Sequence, residues 1–225
     1  MITVWGEGRG IRVVWLLEEM GLPYRLRGVD LLKGVQNDTE FLAINPCGFI
    51  PALVDGDVTM VESIAIMEYL IARRGPESKS AAPLAPAPTD PTYNLYQQFL
   101  HLGEAGLAGM LYFHVITRNI APEAERDNWT ARESVEIFKN RLQLVTRQLT
   151  RASHMAGDTF TAADISITYA LTFAQAAGGL TLGEAEMAYW RRTTARPAYK
   201  RALDVCKGTK AWLARALPVA PQYSL

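Results

Sequence analysis

The chain reads as an α+β protein of two domains: a β-α-β-α-β-β-α unit over residues 1–76, a proline-rich linker over 77–91 and an all-α helical bundle over 92–225. Three observations predict this. Short strand-like runs alternate with helical stripes only as far as about Arg74. Pro76, Pro83, Pro86, Pro88 and Pro91 then fall among small residues, which keeps that stretch extended. Beyond it, apolar residues recur only at helical spacing.

Each element has a local reason. Ile2-Thr3-Val4-Trp5 suits a short strand, and Gly6-Glu7-Gly8-Arg9-Gly10 leads from it into a helix over Ile11–Met20. Val13, Leu16, Leu17 and Met20 form that helix's stripe, and Gly21 with Pro23 stops it. Tyr24–Val29 suits a second strand, and residues 33–48 a loop with a short helix. Two strands follow Pro51, joined by Asp55-Gly56-Asp57, where Gly tolerates a positive φ. Ser63 is placed to cap a helix over Ser63–Arg74. This order is that of a thioredoxin-like fold. After the linker, Asp90-Pro91 opens a long helix to about Arg118. Val135, Phe138, Leu142, Val145 and Leu149 stripe the next, and Ile167, Ala170, Leu171 and Ala174 a third. Thr161-Ala162-Ala163-Asp164 reads as a capping box with Asp in place of Glu, and Phe160 to Ile165 as a hydrophobic staple. Thr161 and Asp164 are thus structural caps, with an expected cost of about 0.5–2 kcal/mol for Asp164→Ala.

Composition narrows the function classes. The apolar share of 49% fits a globular chain. Acidic and basic residues balance at 23 each, which argues against nucleic acid as a partner. Cys47 and Cys206 make no C-x-x-C pair, and a reducing cytoplasm is the default. His101, His114 and His154 have no partner at metal-ligand spacing, so no metal is expected. The start of the chain lacks signal-peptide character. The charge-free stretch Ile165–Gly183 carries Ser166, Thr168, Thr172, Gln175 and a Gly pair, so it reads as a buried helix rather than a membrane span.

The most specific block is Asn45-Pro46-Cys47-Gly48-Phe49-Ile50-Pro51, a hairpin, then Glu62-Ser63-Ile64-Ala65-Ile66. Its order N-P-x-G-x-[VI]-P, hairpin, E-S-x-A-I, helix resembles the glutathione-binding half of the glutathione S-transferases, of the bacterial cytosolic type. Together with the linker and the helical domain, the resemblance covers nearly the whole chain. It implies glutathione as substrate, a small hydrophobic electrophile as its partner in reaction and a homodimer.

Glutathione carries two carboxylates, an amine and a thiol. The Ser63 hydroxyl and the first N–H groups of its helix suit the γ-glutamyl carboxylate. Glu62 suits the amine, and the backbone of Ile50 before Pro51 suits the cysteinyl moiety as a strand-like contact. The resemblance implies the same roles. Many relatives carry Lys or Gln where this chain has Phe49, which donates no side-chain hydrogen bond; Lys33 is one substitute for the glycyl carboxylate. Cys47 reads as a bystander thiol.

These enzymes work by thiol activation. A thiol of pKa about 8.5 is only ~3% ionised at pH 7, and lowering it by about two units makes it mostly thiolate. The family's usual device is a Tyr, Ser or Cys in the loop after the first strand, yet residues 6–12 contain no Tyr, Ser, Thr or Cys. Three substitutes stand open: backbone N–H groups of Gly8 and Gly10 at the helix start, positive charge from Arg9 or Arg12, or a tyrosine (Tyr93, Tyr96 or Tyr112) from the long helix. The first two combined are the preferred reading, against the opposing field of Glu7. The glycine loop lacks the third Gly of a dinucleotide fingerprint.

The second substrate is expected against the long helix, with Tyr93, His101, Glu104, Met110, Tyr112, Phe113 and Trp129 as candidate lining residues. Gly103, Gly106 and Gly109 on that helix permit either close helix packing or a widened cleft. The leading reading is a transferase that presents a glutathione thiolate to an electrophile, in conjugation or a related ether-cleaving, dehalogenating or isomerising reaction. The alternative is a non-catalytic glutathione-fold binding or regulatory protein, because the loop hydroxyl is absent.

Overall fold

The structure, a computed structural model, describes residues 1–31, 34–209 and 223–224. Lys33 lies outside the described residues. The chain forms two compact units, the first made of Met1–Ala82 with a segment beginning at Arg196, the second beginning at Pro83 and running to Ala195.

The first unit contains β1 (Ile2–Trp5), α1 (Ile11–Met20), β2 (Tyr24–Arg27), α2 (Thr39–Ile44), β3 (Ala52–Asp55), β4 (Val58–Val61) and α3 (Ser63–Arg74). Its sheet has the order β2-β1-β3-β4, with β1 parallel to β2 and antiparallel to β3. Val4 lies opposite Leu26 on one side and Leu53 on the other, so the centre of the sheet is apolar on both flanks. Gly56 takes a φ of 61° in the β3–β4 turn, as the Asp-Gly-Asp sequence predicts. Asp38 caps α2 through the Phe41 N–H at 3.0 Å and pairs with Arg27, whose guanidinium lies 4.9 Å over Trp5.

Helical spacing predicts one buried stripe on α1, but the structure also buries Val14 and Trp15. The reason is a helix from the far end of the chain. α1 packs against Pro197–Val205, with Tyr199 set edge-on to Trp15 at 4.8 Å. Arg196 grips Glu19 at 2.7 and 2.8 Å, and Arg201 meets Glu18 at 2.7 Å. The first unit therefore recruits residues that the sequence assigns to the helical domain.

The second unit holds α4 (Tyr93–His101), a π-helical stretch Leu102–Ala108, α5 (Gly109–Asn119), α6 (Trp129–Leu149), α7 (Ala162–Ala176) and α8 (Glu184–Thr194); the Pro197–Val205 helix is then α9. The run 93–119 is long and apolar enough to cross a membrane by composition alone. It nevertheless buries Tyr96, Phe99, Leu100, Leu107 and Leu111 inside the protein, as a core helix does. Of the three glycines on this run, Gly103 explains close packing: a Cβ there would stand 2.2 Å from Ser166 Oγ on α7. Ser166 in turn donates to the Leu100 carbonyl at 2.7 Å. One departure from an all-helical reading appears, a two-residue parallel pairing of β5 (Leu180–Thr181) with β6 (Tyr223–Ser224). Two residues carry too little periodicity to be read as a strand.

The α7 start is a complete capping box. The Thr161 side chain takes the Asp164 N–H, and Asp164 Oδ2 takes the Thr161 N–H at 2.8 Å. Asp164 is wholly buried, and its other oxygen accepts from Met155 N at 3.0 Å and Tyr189 Oη at 2.8 Å and meets His154 Nδ1 at 3.2 Å. Phe160 and Ile165 are both buried, with Phe160 edge-on to His154 at 5.8 Å.

Candidate functional site

Three short segments of the first unit converge. The first is the loop from β1 to α1, which closes as a 3₁₀ turn over Gly8–Gly10. The second is the Ile50–Pro51 bond, which is cis. The third is the start of α3. Glycine is what lets the first two meet. A Cβ on Gly6 would lie 2.3 Å from Ile50 Cγ2, and Gly6 itself sits at a φ of 88°, accessible to few other residues. A Cβ on Gly10 would stand 3.4 Å from Pro51 Cβ.

Asn45 shapes the approach to Ile50. Its amide donates to the Phe49 carbonyl at 2.7 Å, and its Oδ1 accepts the Cys47 N–H at 3.1 Å. The Phe49 side chain is turned to solvent. Cys47 is exposed and free. Ile50 packs on the cluster of Trp5, Phe41 and Ala52.

The sequence places Ser63 at the N-cap of α3; the structure moves the cap one residue back. Glu62 occupies it, at φ 71° and ψ 105°, and makes no side-chain capping bond. Among the described residues no side chain caps the N–H groups of that first turn. Ser63 is the first helical residue and is buried. Its hydroxyl accepts from Arg12 Nη1 at 3.0 Å, which leaves its own proton to donate. Arg12 is wholly buried. It therefore stands behind Ser63, whereas the sequence reading places it with the thiol-activating loop. Asp55 and Arg74 pin the other end of α3 at 2.5 Å, and that pairing, with a further bond from Tyr69, holds the Asp55 carboxyl below the usual carboxylate range.

The loop N–H groups are a correction. The Gly10 N–H donates to the Glu7 carbonyl at 3.0 Å, inside the 3₁₀ turn. The Gly8 N–H donates to Thr209 Oγ1 at 3.0 Å. Neither glycine offers a vacant donor, because the loop is already closed on itself and on the segment after α9. Arg9 is half-buried at the centre of the turn.

Sequence reasoning missed Thr209. It lies 201 residues from Gly8, and nothing in its surroundings marks it. Its own N–H donates to Glu7 Oε2 at 2.8 Å. Nearby, Cys206 is fully buried, and burial followed by the Glu7 charge pushes its thiol up to about 12.

In the second unit the candidate lining residues separate into groups. Gln97 links Tyr93 and His101, donating to the Tyr93 hydroxyl at 3.1 Å and meeting His101 Nε2 at 3.2 Å. Tyr112 and Phe113 pair edge-on at 6.1 Å and are 42% and 56% exposed. Glu104 and Met110 are half-buried on the π stretch and at the start of α5. Trp129, the first residue of α6, is 69% exposed. Among the described residues there is no group of three or more His, Cys, Asp or Glu side chains that could hold a metal ion.

Comparison with known proteins gives a consistent picture. Residues 2–72 match the glutathione S-transferase N-terminal domain family. Glutathione S-transferase 3 of Zea mays is 31% identical over 198 residues, covering 85% of this chain and 86% of its own. A theta class glutathione S-transferase from the citrus canker pathogen Xanthomonas axonopodis pv. citri, solved with glutathione bound, superposes with a TM-score of 0.72 at 26% identity, over 89% of this chain and 96% of that one. A glutathione transferase from Phanerochaete chrysosporium, solved with oxidized glutathione, has the same fold with a TM-score of 0.77 at 24% identity, covering 92% and 96% of the two chains.

Proposed function

The chain belongs to the glutathione S-transferase family, and from that premise we propose that it is an enzyme that binds glutathione and presents its thiolate to a hydrophobic electrophile. The observation that carries this reading is the convergence of the glycine loop, Ile50–Pro51 and an uncapped α3 start backed by Arg12. In this reading the γ-glutamyl carboxylate completes the first turn of α3, accepting from its N–H groups and from Ser63 Oγ. Arg12, one bond behind Ser63, supplies positive charge to that same end. Glu62 takes the γ-glutamyl amine. The cysteinyl backbone pairs with the main chain of Ile50 beside Phe49 and Pro51. The sulfur then lies toward the turn at Gly8, Arg9 and Gly10.

The reaction needs one proton to leave. The thiol S–H ionises, the thiolate attacks an electrophilic carbon, and the S–C bond forms as a leaving group departs or as the adjacent carbon takes a proton. The positive field of Arg9 favours the ionised sulfur, and the carboxylate of Glu7 opposes it. Tyr93, His101, Glu104, Met110, Tyr112, Phe113 and Trp129 are the residues we assign to the second substrate. The protein works in this reading as a cytoplasmic homodimer without metal, nucleic acid or membrane.

One observation favours a second reading. No residue from 6 to 12 carries a hydroxyl or thiol, and the Gly8 and Gly10 N–H groups are engaged. A glutathione-binding protein without transferase activity would look the same at the α3 start. Ultraviolet titration of glutathione bound to the purified protein separates the two. A thiol pKa well below the free value supports the transferase; binding with an unshifted thiol supports the non-catalytic protein.

A further inference from the structure

The first unit lacks a hydroxyl in the loop after β1, yet a hydroxyl stands on that loop. Thr209 is buried, and its Oγ1 accepts the Gly8 N–H at 3.0 Å. Its main-chain N–H donates to the Glu7 carboxylate at 2.8 Å. The two bonds run in opposite directions between consecutive residues of the loop and one residue of the segment after α9. They fix the threonine in one orientation. Gly208 is part of the same fit, since a Cβ there would stand 3.0 Å from Glu7 Oε2. α9 itself is anchored on α1 by Arg196, Arg201 and Tyr199, so the segment arrives at the loop from a fixed base.

We propose that Thr209 supplies the thiol-stabilising hydroxyl that the loop of this chain does not contain: its Oγ1 accepts from the Gly8 N–H and donates its own proton in a hydrogen bond to the sulfur of bound glutathione. This rests on the transferase reading above. Among the described residues no acceptor takes that proton. Accepting from a backbone N–H polarises a hydroxyl and makes it a better donor. The dipole of the Gly8 N–H is thus passed on to the sulfur through Thr209. The thiol proton goes to solvent, and the threonine keeps its own. Glu7 holds the Thr209 N–H and its charge also reaches Cys206, and Lys207 lies two residues before Thr209 in the chain. The Thr209 N–H bond to Glu7 draws that carboxylate's charge toward the C-terminal segment, which lessens its opposition to a thiolate.

The test uses the full-length protein and glutathione. Thr209→Val removes the hydroxyl, keeps the shape and keeps the main-chain bond to Glu7; Thr209→Ser keeps the hydroxyl. The expected result is a bound-thiol pKa that rises in T209V by about one unit, a roughly tenfold loss of thiolate below that pKa. Glutathione affinity measured at a pH where the thiol is protonated stays within about threefold of wild type. T209S keeps the wild-type thiol pKa. Thr209→Ala repeats the deletion without the branched side chain in case T209V unfolds. A depressed wild-type pKa that T209V and T209A leave unchanged, or lower further, overturns the role of Thr209 and leaves the transferase reading standing. A wild-type protein that binds glutathione with an unshifted thiol overturns both.

Discussion

Two helices of this protein begin in opposite ways. α7 opens on a closed circuit, in which Thr161 and Asp164 satisfy each other's N–H groups and Asp164 collects Met155, Tyr189 and His154 as well. α3 opens on Glu62 at a positive φ, with no side-chain cap and with Ser63 backed by a buried arginine. A non-glycine residue in such a backbone conformation costs about 1–3 kcal/mol. The first start is complete and serves the fold. The second is incomplete in a way that an incoming carboxylate would complete. The difference teaches that an unfilled cap is informative only when the chain also shows strain and buried positive charge beside it.

The largest expected effect lies at the complete start. Asp164→Ala leaves several buried donors without an acceptor, so it should cost about 3 kcal/mol or more, beyond the cap alone. A loss below about 1 kcal/mol in denaturant unfolding would show that the circuit is ornamental. At the open start, Ser63→Ala removes a donor to a charged group. Glutathione affinity should fall about tenfold, roughly 1.4 kcal/mol, and stability by about 1–3 kcal/mol, because the buried Arg12 guanidinium loses the Ser63 acceptor. An unchanged affinity would move the carboxylate elsewhere. Glu62→Gly separates the two properties at one residue. Relief of the positive φ should raise stability by about 1 kcal/mol, and loss of the carboxylate should weaken glutathione binding. If the variant instead melts earlier, the backbone at Glu62 is not strained.

A smaller effect comes from the far end of α3. The hydrogen bonds from Arg74, and then from Tyr69, hold the Asp55 pKa below its unfolded value of about 3.9. The unfolded chain therefore takes up this proton first as pH falls. The stabilisation is full above about pH 4 and is lost as pH drops through the folded value. Asp55→Asn should flatten that acid limb of the stability profile; an unchanged limb would exclude this pair as its source.

Much of the fold was legible because it is written locally. The bounds of α1 and α3, the hairpin at Gly56 and the capping box each follow from spacing, caps and turn chemistry within about ten residues. The candidate site was legible in part. The motif from Asn45 to Ser63 identified the segments that meet, and the helix it opens. It put the cap at Ser63 instead of Glu62, because the sign of φ at a non-glycine residue leaves no mark in composition.

The sequence by itself determined the element order, the glutathione S-transferase relationship and the absence of a hydroxyl between residues 6 and 12. The tertiary structure alone decided that Arg12 stands behind Ser63, that α9 buries the second face of α1, and that Thr209 reaches Gly8 across 201 positions of sequence. The physical reason is range. Propensity, capping and periodicity act over a few residues, whereas a hydroxyl brought to a loop from the other end of the chain depends on packing, which no local pattern encodes.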